Sequence, residues 1–140
     1  MKRSLHLRSL SVEHQSALSL AIRVERAAHS AAACDLPVWE IAIERYWNAE
    51  LLAHFSVEER IWLPALARAG LESYTQRTLS EHRTLAALAT DRTMPLRERL
   101  ARFASLLQAH VRFEERELFQ AAQRALADDE LEALARAAAN

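Results

Sequence analysis

Gly70, Pro37, Pro64 and Pro95 are the only glycine and prolines in this chain of 140 residues, and they limit its fold more than any other feature. Glycine and proline are the residues that interrupt helices. The stretches between them are rich in Ala, Leu, Arg and Glu, all strong helix formers, and poor in β-branched residues. A chain with so few interruptions is expected to be all-α.

The breaks divide it into helices. Ser11 suits an N-cap, and a first helix is expected from there to about Ala33, with Leu10, His14, Leu18, Ala21 and Glu25 or Ala28 inward. Pro37 fits the first turn of a second helix, which runs to about Ala69 and stops at Gly70. Pro64 should bend that helix or shorten it. A third helix is expected over 73–90, with Leu79, His82, Leu85, Ala86 and Ala89 inward, and a fourth over 95–126. Asp128 reads as the N-cap of a short helix over 128–138, with Asp129 and Glu130 at the positive end of its dipole. Four long helices with short connections predict an up-down-up-down four-helix bundle, with a short C-terminal helix added. The bundle core would span about 10–126 of a single domain covering 1–140, preceded by a leader packed through Leu5, Leu7 and Leu10.

Within the second helix lies His54-Phe55-Ser56-Val57-Glu58-Glu59-Arg60, and 56 positions later comes His110-Val111-Arg112-Phe113-Glu114-Glu115-Arg116. Residues four apart share a helix face, so His54 stands over Glu58 and His110 over Glu114. Both pairs fall on apolar stripes: Trp47, Leu51, His54, Glu58, Ile61 and Ala65 in one helix, Phe103, Leu107, His110, Glu114, Leu118 and Ala121 in the other. A carboxylate aimed at a core is costly unless it is paired or holds a metal. Glu13-His14 and Glu81-His82 form a second repeat, 68 positions apart, on the first and third helices. The chain thus reads as two similar helical hairpins related by a pseudo-two-fold axis.

The inward ionisable residues are His14, His54, Glu58, His82, His110 and Glu114. Counting ~1.5 Å of rise per residue puts His14 level with His54, and Glu58 level with His82, to within ~3 Å. The same count leaves His82 and His110 offset by ~10 Å. Four imidazoles and two carboxylates at one level suit two transition-metal ions, each with two His and two carboxylate oxygens and about two of six positions open. With no inward Cys, iron or manganese fits better than structural zinc. Glu59, Glu115, Arg60 and Arg116 fall off the stripes and read as solvated charges, with hydrogen bonds to the ligand imidazoles as the sharper alternative, and Glu13 and Glu81 read as outward, with orientation of neighbouring ligands as theirs. Glu50 reads as partly exposed, His6 and His29 as surface residues, and Trp39, Trp47, Trp62, Tyr46 and Tyr74 as core or interface.

A net charge of -1 gives no reason to expect nucleic acid or an acidic membrane as partner. Cys34 is the one cysteine, so no internal disulfide forms and a reducing compartment is the simple reading. The basic start, Met1-Lys2-Arg3, has no apolar run behind it, and no stretch approaches the ~20 apolar residues of a spanning helix. Cytoplasmic localisation is expected.

The phrases SVEHQSAL, HFSVEERIWLPAL, SEHRTL and HVRFEERELFQ, in that order from Leu10 to about Ala122, resemble the hemerythrin-like (HHE cation-binding) domains. The resemblance implies a four-helix bundle holding a non-haem di-iron centre, probed by a small gaseous or peroxide ligand, with an oxo or hydroxo bridge and with manganese or zinc as other candidate metals. Its ligands would be His14, His54, Glu58, His82, His110 and Glu114. The oxygen carriers of the family have a second histidine on the third helix, where this chain has Thr78 or Ala86. They also place an aspartate five after the last histidine, where Glu115 stands here. That favours sensing, detoxification or iron handling over oxygen carriage. A metal storage or buffering module with a mononuclear or non-iron site, and a metal-free helical interaction protein, remain as alternatives. A homodimer through the Ala-rich C-terminal helix is a further expectation.

Overall fold

The computed structural model describes residues 2–140, and among these five helices carry the chain with no strand. They are α1 (Arg8–Ser30), α2 (residues 36–68), α3 (Glu72–Thr90), α4 (residues 96–125) and α5 (Asp128–Ala139). Short 3-10 turns, Leu5–Leu7 and Ala33–Asp35, precede α1 and α2. Helix α1 packs along α4, α3 packs on α4, and α2 meets all three of the other long helices. No helix among the described residues is long and apolar enough to cross a membrane.

Several boundaries differ from the sequence reading. Ser11 is not the N-cap of α1: the helix starts at Arg8, and the Ser11 hydroxyl instead donates to Glu115 at 2.8 Å. The helix also ends at Ser30, before the expected Ala33. Asp128 is the first residue of α5 and not its cap, which is Ala127, whose N–H donates to the Glu130 carboxylate at 3.0 Å. Leu7 and Leu10 are buried, but Leu5 is exposed.

Helices α2 and α4 are not uniform. Leu63 N–H bonds to the Glu58 carbonyl and Phe119 N–H to the Glu114 carbonyl, five residues back, so Glu58–Trp62 and Glu114–Leu118 are π turns. A third lies at Trp47–Leu51. A π turn takes up one extra residue, and this corrects the stripe expected on α2. Beyond Glu58 the buried residues are Trp62, Leu63 and Leu66, while the expected Ile61 and Ala65 are only half-buried. Pro64 neither ends nor shortens α2, because it sits in the first turn of the α-helical segment that resumes after the π turn. Proline does not cause the widening. Gln120 stands 56 residues on, behind an equal π turn.

Gly70 ends α2 with φ +92°, the one positive value among the described residues. Leu71 N–H reaches the Leu66 carbonyl at 3.0 Å and Gly70 N–H the Ala67 carbonyl at 3.1 Å, the two bonds of a Schellman cap. A Cβ at Gly70 would meet nothing within 4 Å, so only backbone strain opposes a side chain there. Gly70→Ala is expected to lower stability by about 1–2 kcal/mol, read as a shifted urea midpoint at unchanged slope. An unchanged midpoint would show that the cap tolerates L-residues.

The ~10 Å offset expected between His82 and His110 does not occur, since their rings lie 5.0 Å apart. The connection 91–95 absorbs it, with Asp91 at ψ 104° and Pro95 at ψ 129° both extended. Two arginines in the first turns of α4 then close off its neighbours. Arg97 donates to the Ala28 and Ala31 carbonyls at the end of α1, both at 2.8 Å. Arg99, wholly buried, donates to the Leu88 and Ala89 carbonyls at the end of α3, at 2.6 and 2.8 Å. Cations at helix C-termini satisfy orphan carbonyls and oppose the dipole.

Apolar packing divides into two clusters. One gathers Leu20, Val24, Ile43, Trp47, Leu85, Leu88, Leu100 and Phe103, and the other Leu7, Leu10, Trp62, Leu66, Phe113, Leu118, Phe119 and Leu131. The boundary crosses α1 between Leu10 and Ala17, and α2 between Phe55 and Trp62. His14 and Glu58 fall in that gap, and His54 adjoins it.

Candidate metal centre

His14, His54, Glu58, His82, His110 and Glu114 are all buried. The structure brings them together as two quartets sharing both carboxylates: His14, His54, Glu58 and Glu114 in one, Glu58, His82, His110 and Glu114 in the other. Within each quartet the potential ligand atoms lie within 4.8 Å of one another. The four-residue spacing of His and Glu puts each pair on the inner stripe, and the π turns at Glu58 and Glu114 widen the helices where the carboxylates project.

Each imidazole presents Nε2 to this centre. His14 and His110 lie 3.0 and 3.5 Å from Glu114 Oε1, and His82 and His54 lie 3.1 and 3.6 Å from Glu58 Oε1. These contacts lack hydrogen-bond geometry. All four Nε2 atoms, Glu58 Oε1 and both Glu114 oxygens are buried with no hydrogen-bond partner among the described residues. An orphaned buried polar group costs about 1–3 kcal/mol, and seven at one point is not a solution a core would adopt by itself. Nitrogen lone pairs and carboxylate oxygens converging on two points fit a pair of cations.

The outer faces of the rings correct the sequence reading. Glu13, Glu59, Glu81 and Glu115 are not free solvated charges, since each binds the Nδ1 of a histidine on the neighbouring helix. Glu13 pairs with His54, Glu59 with His82 at 2.7 Å, Glu81 with His110 at 2.8 Å, and Glu115 with His14 at 2.8 Å. The set closes on itself: α1 supports α2, α2 supports α3, α3 supports α4, and α4 supports α1. A carboxylate only accepts, so Nδ1 carries a proton and Nε2 is the atom left to bind a cation. The signal was present in the sequence, because each of these glutamates adjoins an inward ligand. One residue along a helix turns about 100° from the core, and at a tightly packed seam that direction faces the next helix. Arg60, Arg116, Glu50 and His29 are exposed, as expected.

The electrostatics follow from burying two carboxylates together. Burial and the neighbouring Glu114 charge push Glu58 well above the usual carboxylate range. Burial opposes ionisation of Glu114 as well, but His110, Glu58 and His14 together hold it well below that range. Burial would lower His14, yet Glu114 and Glu115 raise it to about 9. Burial and His110 lower His82 to about 4. Without a cation, Glu58 is thus biased toward its protonated form and His14 toward an imidazolium that balances Glu114. A cation must displace both protons, so binding strengthens as pH rises toward 9.

Phe55 stacks on the His82 ring at 3.7 Å and Phe119 on His14 at 5.7 Å, shutting water from those faces. No curated protein and no solved structure gives a significant match to the chain. The profile of the hemerythrin HHE cation binding domain matches residues 5–122, a span that contains every residue of both quartets. The chain belongs to the hemerythrin HHE cation-binding family.

Proposed function

We propose that the two quartets hold two iron ions and that the protein binds or reacts with a small oxidant: dioxygen, peroxide or nitric oxide. The observation that carries this is the sharing of Glu58 and Glu114 between quartets whose four Nε2 atoms all point inward. His14 and His54 would hold one ion, His82 and His110 the other, and the two glutamates would bridge them. An iron pair bound there supplies redox change and about two open positions per metal for a small ligand. The chain's own residues do the rest. Glu13, Glu59, Glu81 and Glu115 fix the ring tautomers, and Phe55, Phe119 and the two apolar clusters keep water out.

Sensing, detoxification or iron handling fits better than oxygen carriage. Thr78 turns its hydroxyl back to the Tyr74 carbonyl at 2.9 Å, and Ala86 has no donor, so α3 gives the centre one histidine. The closed Glu–His ring also supports an up-down-up-down order of the four long helices with a pseudo-two-fold relation between halves. In this reading residues 1–140 form one domain, with the core over 10–126 and the helix over 128–138 at its end. It works in the cytoplasm without nucleic acid or membrane, alone or as a homodimer.

Metal content of anaerobically prepared protein, with a near-ultraviolet and visible spectrum before and after air, tests the reading. Two irons per chain, with charge-transfer bands that appear in air and change with azide or nitric oxide, are expected. One ion, or a metal other than iron, would replace this reading with a storage or buffering module. No metal after reconstitution would leave a helical interaction protein.

A further inference from the structure

The four outer carboxylates are not equivalent. Glu81 is anchored a second time by Arg77 at 3.0 Å, and Glu115 by Ser11 at 2.8 Å and Arg3 at 3.2 Å. Glu13 and Glu59 have no side-chain partner except His54 and His82 among the described residues. Their side chains are 58% and 42% exposed, against 15% for Glu81 and 29% for Glu115. The same two line cavities. A cavity of about 710 Å³, walled by α1 and α2 and closed by α4 and α5, has Glu13, His14, His54 and His110 in its lining. A second, of about 350 Å³ between α2 and α3, has Glu59 and His82. Glu81 and Glu115 line neither.

We infer that Glu13–His54 and Glu59–His82 are two separate ports for divalent transition-metal cations, one for each quartet. This rests on the reading that the quartets hold metal. Each quartet contains one port histidine and one histidine locked by a twice-anchored carboxylate: His54 with His14, and His82 with His110. A cation arriving from solvent meets the exposed carboxylate first, and negative groups in a cleft raise the local cation concentration. Coordination at that carboxylate takes it from Nδ1. The ring, no longer held, turns and opens the path to Glu58 and Glu114, while the locked histidine keeps its place and marks the destination. The port works in both directions.

Cobalt(II) uptake by metal-free protein, followed by stopped-flow absorbance, tests this, together with release to a chelator. Glutamine keeps an acceptor for Nδ1–H and removes the charge. Glu13→Gln and Glu59→Gln should each bind two ions, with about half of the uptake amplitude slowed at least tenfold. The double variant should slow throughout, and Glu98→Gln, outside both cavities, should match wild type. Release should slow by the same factor, leaving affinity unchanged. A merely orienting carboxylate would instead speed release and weaken affinity, and that result overturns the ports. Wild-type uptake rates in both single variants overturn them too. Failure of the wild-type chain to bind cobalt(II) or iron(II) overturns the metal reading and the ports with it.

Discussion

Glu114→Gln is expected to empty both metal positions in one step. Glu114 belongs to each quartet, so no ion can bind without it. Of the two buried carboxylates it is the one held ionised in the metal-free protein, by His110, Glu58 and His14 against the effect of burial. A neutral amide there leaves the centre without its negative charge, and a divalent cation in a dry site has little to offset its own desolvation. Stability should respond to metal in the wild type alone. Wild-type protein gains about 4 kcal/mol at a thousandfold excess of metal over Kd, or about 10 °C in Tm, and a chelator removes the gain. The variant gains nothing from metal. Its metal-free form should melt lower than metal-free wild type, because the His14 imidazolium loses the buried charge that balances it. Metal analysis and calorimetry with and without iron check both halves. Two ions retained by the variant would show that Glu114 is packing and not ligand.

Arg99→Ala carries the largest expected cost to the fold itself. The guanidinium is fully buried and satisfies four acceptors: the Leu88 and Ala89 carbonyls at 2.6 and 2.8 Å, Glu40 at 2.5 Å and Glu44 at 3.4 Å. Removing one partner of a buried ion pair costs about 3–5 kcal/mol, because the other charge is left uncompensated. That corresponds to about 10 °C in a domain of this size. The neighbouring exposed pair, Arg92 with Glu44 at 2.7 Å, gives the contrast, since solvent screens a bridge of this kind. Arg92→Ala should therefore be nearly silent in urea unfolding while Arg99→Ala is not. The metal site lies in another part of the core, so Arg99→Ala protein kept below its lowered Tm should still take up two ions. A loss below about 1 kcal/mol would mean that water replaces the guanidinium at the α3 terminus.

Periodicity and a handful of breaks were enough for the helices and for the six inward ionisable residues, because a buried stripe at helical spacing is a local property of the chain. His14, His54, Glu58, His82, His110 and Glu114 each have an apolar residue three or four positions away on either side, and those help to bury them. The wrong residues on the α2 stripe, Ile61 and Ala65, had a cause that periodicity cannot carry. A π turn adds one residue, and nothing in the local composition of Glu58–Trp62 marks it. Its twin at Glu114–Leu118 has no proline to suggest a disturbance either.

What depended on tertiary structure was which helix each flanking residue faces. Glu13, Glu59, Glu81 and Glu115 looked outward because one position off a stripe points away from its own helix's core. Only the packing of a second helix at each seam turns that direction into a contact with histidine Nδ1. The meeting of His82 with His110 likewise depended on the path of the 91–95 connection, which a count of rises cannot supply. The sequence by itself determined an all-helical chain with four histidines and two glutamates aimed at its core. The pairing of those groups into two quartets, and the unequal anchoring of the carboxylates behind them, came from long-range packing, because residues from four helices must meet before either exists.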